Sequence, residues 1–254
     1  MKKYILISVS CLLGVSLSIV APRTLANMAS FFSQSEIGFE ESNINDEANH
    51  PLSWLETWQR PQGPLRVGIQ VGHWKNSEVP QELEGLKKNG GGATGGGQTE
   101  WGVALTIANI AAEKLADKNI VVDVLPATIP PAYYADAFIS IHADGNTSSA
   151  VSGFKIASPR RDYSEKSKIL EELLYDNYEE ATGLNRDPSI TDRMRGYYAF
   201  NWLKYEHAIH PMTPAVILET GFLTNRNDQR LLINKPEVPA QAIVDTVTQF
   251  LGVE

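Results

Sequence analysis

Ala137-Phe138-Ile139-Ser140-Ile141-His142 is a short apolar run that ends in a histidine. Two further stretches are built the same way. Leu65-Arg66-Val67-Gly68-Ile69-Gln70-Val71 leads into Gly72-His73, and Ala215-Val216-Ile217-Leu218 leads into Glu219-Thr220-Gly221-Phe222. Apolar runs of this length, bounded by polar or turn residues, read as strands buried on both faces. Ile120 to Leu125 reads as a further strand, and Phe154 to Ala157 as an edge strand.

Helical patterns lie between these runs. Glu100 to Asp117 places Leu105, Ala108, Ala112 and Leu115 on one face. Asp162 and Glu165 form a capping-box signature ahead of a helix that turns Ile169, Leu170, Leu173 and Leu174 inward. A last helix, about Ala240 to Leu251, buries Ala240, Ile243, Val244, Val247 and Leu251. Strands alternating with helices predict one α/β domain over residues 64–254, a mostly parallel twisted sheet with helices on both faces. Glu78 to Gln98, with glycines at 90–92 and 95–97, reads as a long flexible rim. It lacks the Gly-Lys-Ser/Thr ending of a phosphate-binding loop.

The start of the chain has a different character. Lys2 and Lys3 precede an apolar run from Tyr4 to Ala21, and Thr24-Leu25-Ala26 resembles a small-residue cleavage site. Residues 1–26 therefore read as an export signal or as an uncleaved N-terminal membrane anchor. Residues 27–63 are polar with scattered aromatics and read as a linker, either plain or carrying a short docked piece around Trp54 to Trp58. Cys11, the single cysteine, lies inside the apolar run. A chain cut after Ala26 would have no disulfide, no thiol nucleophile and no cysteine ligand for a metal. Taking Lys2, Lys3 and Arg23 from the 22 basic residues leaves 19 against 30 acidic, a net charge of −11. Such a balance excludes non-specific binding to nucleic acid or other polyanions.

His73, Glu100 and His142 are the residue types of a catalytic zinc site, in which three protein ligands leave a fourth position for water. Two neutral imidazoles and one carboxylate would leave Zn2+ with a net charge of about +1, which lowers the pKa of bound water. Glu219 would then be the general base of a hydrolase. Each residue also has a plainer reading. His73 could be an ordinary turn histidine, Glu100 a carboxylate favouring a helix dipole, and His142 the polar end of a strand. Glu219 closes an apolar run, where a buried carboxylate needs a partner. His207 and His210, ahead of Pro211, suit the surface or a substrate rim better than a metal.

These residues resemble a family, the zinc-dependent N-acetylmuramoyl-L-alanine amidases of the amidase-3 type. The resemblance spans about residues 66–252. It rests on Val71-Gly72-His73, on Glu100, on Ala135-Asp136-Ala137-Phe138-Ile139-Ser140-Ile141-His142-Ala143-Asp144, and on the block from Pro214 to Asn225. It implies a phosphorylase/hydrolase-like α/β fold, metal ligands at His73, Glu100 and His142, and a catalytic glutamate at Glu219. It also implies a peptidoglycan or muropeptide substrate, cut between N-acetylmuramic acid and the first L-alanine of the stem peptide. Three departures bear on substrate recognition: Gln70 with Trp74-Lys75 around the first histidine, Leu125-Pro126-Ala127 with Ile129 to Tyr134, and Asp144 where the family has asparagine. Trp74, Tyr133 and Tyr134 would be either a stacking wall for substrate or packing residues. Hydrolysis of another amide, or a wall-binding module on an inactive fold, are the readings set against the amidase. The segment 158–212 would be a lid, a regulatory helix or scaffold, and the sequence leaves the oligomeric state open.

Overall fold

The structure is a computed structural model that describes residues Leu52 to Val253. The expected leader or anchor at 1–26, and the linker as far as residue 51, lie outside the described residues. Among the described residues no helix is long and apolar enough to cross a membrane.

Four parallel strands form most of the sheet: β1 (Arg66–Val71), β4 (Val121–Leu125), β5 (Ala137–Asp144) and β7 (Ala215–Phe222). β6 (Lys155–Ala157) adds an antiparallel edge, giving the order β4-β1-β5-β7-β6. The sheet is thus mostly parallel, as expected. β5 and β7 run two to three residues past their expected ends, because their polar ends keep pairing across a one-residue bulge on β7 after Glu219. Bulges of this kind re-aim side chains and recur beside functional sites.

The two faces of the sheet are covered unequally. Side chains alternate along a strand, so Val67, Ile69, Val71, Ala137, Ile139, Ile141, Val216 and Leu218 share one face. Against it pack α1 (Glu100–Ala116), α2 (Ser167–Thr182) and α5 (Glu237–Leu251), with Leu232 of the short α4 (Arg226–Leu232). Each fully buried side chain in this layer contributes about 2 kcal/mol. Tyr178 is wholly buried there and donates its hydroxyl to the Thr220 carbonyl at 2.8 Å. The opposite face carries Phe138, Ala215 and Ile217, and short pieces cover it: the 3₁₀ helix Gln81–Asn89, α3 (Asp192–Arg195), the 3₁₀ turn Tyr198–Phe200 and irregular chain. Ser140, His142 and Glu219 belong to this second face by the same alternation.

Several local expectations need correction. The buried stripe of α1 is Val103, Ala104, Ile107, Ala108, Ala111 and Leu115, with Leu105 and Ala112 only partly buried. α1 packs on the sheet and on α5 together, so its apolar stripe is wider than one sheet contact requires. α2 starts at Ser167. Asp162 still caps it, accepting from the Ser167 amide at 2.7 Å, but Glu165 takes a left-handed φ of 59° and does not reciprocate. Ile169 points outward at 52% exposure, while Leu170 and Leu174 are buried. α5 starts three residues earlier than expected, and its Leu251 is only partly buried.

The segment 78–98 is not a loop throughout. After the 3₁₀ helix, β2 (Thr94–Gly95) and β3 (Gln98–Thr99) form a hairpin closed by Gly96 and Gly97, both at positive φ. A two-residue turn with positive φ at both positions is the one that matches strand twist, and Gly is the residue that adopts it freely. The docked piece around Trp54 is present. Trp58 packs on Tyr134 and His210 at centroid distances of 5.0 and 5.4 Å. Arg60 grips Asp136 through two hydrogen bonds of 2.6 and 2.8 Å.

Candidate metal centre

His73, Glu100 and His142 come from three different elements and meet at the carboxyl end of the sheet, past the end of β1 and beside the last residues of β5, where open α/β sheets hold their ligands. His73 lies two residues past β1 in a tight turn at φ 62°, a backbone region that few non-glycine residues occupy. The turn is held by Asn76, whose amide donates to the carbonyls of Leu86 and Gly90 and lies 3.2 Å from His73 Nδ1. Glu100 opens α1. Thr99 caps that helix, its hydroxyl accepting from the Gly102 amide. The backbone amide of Ala93 donates to Glu100 Oε2 at 2.7 Å, and the Glu100 amide donates to the Ala93 carbonyl at 2.8 Å. The glycine-rich hairpin is thus a clamp on Glu100.

One nitrogen from each ring and one carboxylate oxygen lie within 4.8 Å of one another. Glu100 Oε1 is 2.7 Å from His142 Nδ1 and 3.3 Å from His73 Nε2. The backbone leaves room for this convergence. A Cβ at Gly72 would enter the His142 ring, and one at Gly92, itself at φ 77°, would collide with the Glu100 carboxylate and His73.

The electrostatics suit a cation. Burial lowers the His73 pKa and the neighbouring His142 pushes the same way, outweighing Glu100, so the imidazole is neutral with a lone pair to share. Burial would raise the Glu100 carboxyl, but the hydrogen bond from His142 and both nearby imidazoles hold it below the usual carboxylate range. His142 is raised, because Glu100, Glu219 and Asp144 together overcome its burial.

Glu219 stands opposite His142 in the β5–β7 register and opposite Lys155 across β6. Burial pushes its carboxyl up to about 8, and the charges of Glu100 and Asp144 add to this against His142 and Lys155. Lys155 is itself buried and paired with Asp144 at 2.5 Å and Asp187 at 3.2 Å. Asp144, the family departure, therefore carries its own counter-charge.

Other candidates lie elsewhere. His207 Nδ1 is 2.7 Å from Glu82, and His210 packs among Trp54, Trp58 and Tyr134. Neither joins the three-residue group. Tyr133 is buried and donates to Asp123, Tyr134 donates to Asp136, and Trp74 packs against the core, so these aromatics are packing residues. Sequence reasoning missed Tyr197. Its hydroxyl lies 3.1 Å from His142 Nε2, the ring nitrogen turned away from Glu100. It comes from the 158–212 segment, where no periodicity or spacing marked it.

The chain matches the family model of N-acetylmuramoyl-L-alanine amidases over residues 67–249 and belongs to that family. A search of curated proteins returns no match. Solved structures share the fold. The catalytic domain of CwlV, an N-acetylmuramoyl-L-alanine amidase from Bacillus (Paenibacillus) polymyxa var. colistinus, is 23% identical with a TM-score of 0.52, covering 75% of this chain and 99% of its own. AmiC2 of Nostoc punctiforme is 21% identical with a TM-score of 0.54, covering 76% and 99%. An amidase from Clostridium difficile 630 is 19% identical with a TM-score of 0.53, covering 75% and 98%. The protein is an N-acetylmuramoyl-L-alanine amidase, a hydrolase of the peptidoglycan amide.

Proposed function

We propose that this amidase is a zinc enzyme of the cell envelope, with His73, Glu100 and His142 as the metal ligands and Glu219 as the acid–base group. The observation that carries the reading is the convergence of two imidazole nitrogens and one ionised carboxylate within 4.8 Å. Two histidines and a glutamate with an open side are a donor set that suits zinc. Zinc there would act as a Lewis acid on the scissile carbonyl and lower the pKa of water.

The protein's own groups do the rest. Glu219 takes the proton of the attacking water on its carboxylate and returns it to the departing nitrogen of L-alanine. Its position in the register opposite His142 places it beside the ligand group. Its carboxyl is partly buried at the end of the strand, which raises its proton affinity and makes it a competent donor on the second step. Tyr197 holds His142 from behind and keeps Nδ1 turned toward the centre. The leader-like residues 1–26 support export, by cleavage or as an anchor, to the compartment where peptidoglycan lies.

Two measurements test this. Elemental analysis should find about one zinc per chain in wild type and none in His142→Ala. Purified sacculi should release stem peptides with a free L-alanine amine. A well-folded, zinc-supplied wild type without bound zinc would overturn the metal assignment. Intact sacculi with zinc-loaded protein would overturn the assigned substrate.

A further inference from the structure

The segment between β6 and β7 lines a solvent-open cavity of about 320 Å³, which is within the size range of ligand sites. Arg160, Arg161, Arg195, Tyr163, Tyr197 and Trp202 line it, and no acidic residue does. This is a local reversal of sign in a chain of net charge −8. The Arg160 amide donates to the Arg195 carbonyl at 2.9 Å, which ties the two sides of the cavity together. Arg160 pairs with the exposed Asp192. Arg161 and Arg195 have no carboxylate partner among the described residues. Tyr163 meets Trp202 edge to face at 5.8 Å and supplies an apolar wall. Tyr197 belongs to both sites: it lines the cavity, and its hydroxyl is 3.1 Å from His142 Nε2. The cavity is therefore one side chain away from the candidate metal ligands.

We propose that this cavity seats the anionic peptide of the substrate, with Arg161 and Arg195 binding a free carboxylate beyond the scissile amide. The sugar side of that amide carries neutral hydroxyl and acetamido groups, whereas the stem peptide carries carboxylates. Only the peptide side complements arginine, whose planar fork matches a carboxylate with two parallel hydrogen bonds. The aromatic wall suits the aliphatic parts of the same peptide. The proposal rests on the amidase reading for the source of the peptide.

The test is calorimetric titration of the full chain, zinc-loaded, with two forms of the tripeptide L-alanyl-γ-D-glutamyl-L-lysine. One has its carboxylates free and the other has them as carboxamides. Wild type should bind the free acid at least about tenfold more tightly. The double variant Arg161→Gln with Arg195→Gln should lose that preference through weaker binding of the free acid alone. Equal binding of the two forms by wild type, absence of binding, or a preference that survives in the double variant would overturn the proposal. Sacculus digestion by the same samples keeps the two readings apart. Turnover by wild type without a carboxylate preference removes the cavity assignment only. A carboxylate preference without turnover removes the amidase reading and leaves the anion site standing.

Discussion

The Tyr197 hydroxyl and the Nε2 atom of His142 lie 3.1 Å apart, on the side of the ring opposite Glu100. The contact ties the segment between β6 and β7 to a ring that otherwise belongs to the sheet. Were Nδ1 to bind the proposed metal, Nε2 would keep its proton and donate it to the Tyr197 oxygen. Groups that hold a ligating histidine in this way typically matter by about 10- to 100-fold in metal affinity. Tyr197→Phe should weaken zinc binding by that order while the fold persists. Competition with a chromophoric chelator measures it, and unchanged affinity would remove Tyr197 from the site.

Glu219→Gln separates binding of the metal from chemistry. The amide is close in shape to the carboxylate and cannot carry the proton. Zinc content should stay near that of wild type, while stem-peptide release falls by about 10² to 10⁴. Equal rates for variant and wild type would reassign the general base.

Gly92→Ala probes the clamp on Glu100. The added methyl meets the Glu100 carboxylate and His73 at a position whose φ of 77° already disfavours a side chain. The variant should lose zinc and activity together, at a stability cost of about 1–3 kcal/mol for the forced left-handed conformation. Retention of stoichiometric zinc would show that the hairpin yields.

Asp136 anchors the piece that precedes the sheet. Burial raises its carboxyl, but Arg60, the Arg66 amide and the Tyr134 hydroxyl outweigh this and hold it below the ordinary aspartate value. A depressed folded pKa supplies stability that is fully present above the unfolded value, about 3.9, and is lost as pH falls through the folded one. Asp136→Asn should therefore destabilise by about 1–3 kcal/mol at pH 7, and the difference should shrink at acid pH, below the unfolded value. Denaturant titration at neutral and acid pH reads both limits. A gap that persists at low pH would mean that the amide disrupts packing instead of removing charge.

The strands and their polar ends were legible because a buried parallel strand needs an apolar run, and a histidine or glutamate at its end stands out against it. Glu100 was legible as the first residue of a helix. The hairpin at 94–99 was not, because its strands are two residues each and its glycines look the same in a flexible rim as in a tight turn. Ile169 was misplaced because one apolar residue in a helix does not report how wide the covered face is. Tyr197 and the arginine-lined cavity lie in the stretches on either side of α2, which have no periodicity, so nothing local distinguished them from scaffold.

By itself the sequence determined the alternation of strands and helices, the sheet's mostly parallel character and the four polar residues that follow its strands or open its first long helix. These follow from local periodicity and from the cost of leaving a charge at the end of an apolar run. Only the tertiary structure decided that three of those residues share one point, because chain separation carries no distance. It also decided which face of the sheet is thinly covered, and it brought Ala93, Asn76 and Tyr197 against the ligand group. The longest-range of those contacts, between Tyr197 and His142, joins residues 55 apart and depends on how layers pack, which no single stretch of sequence encodes.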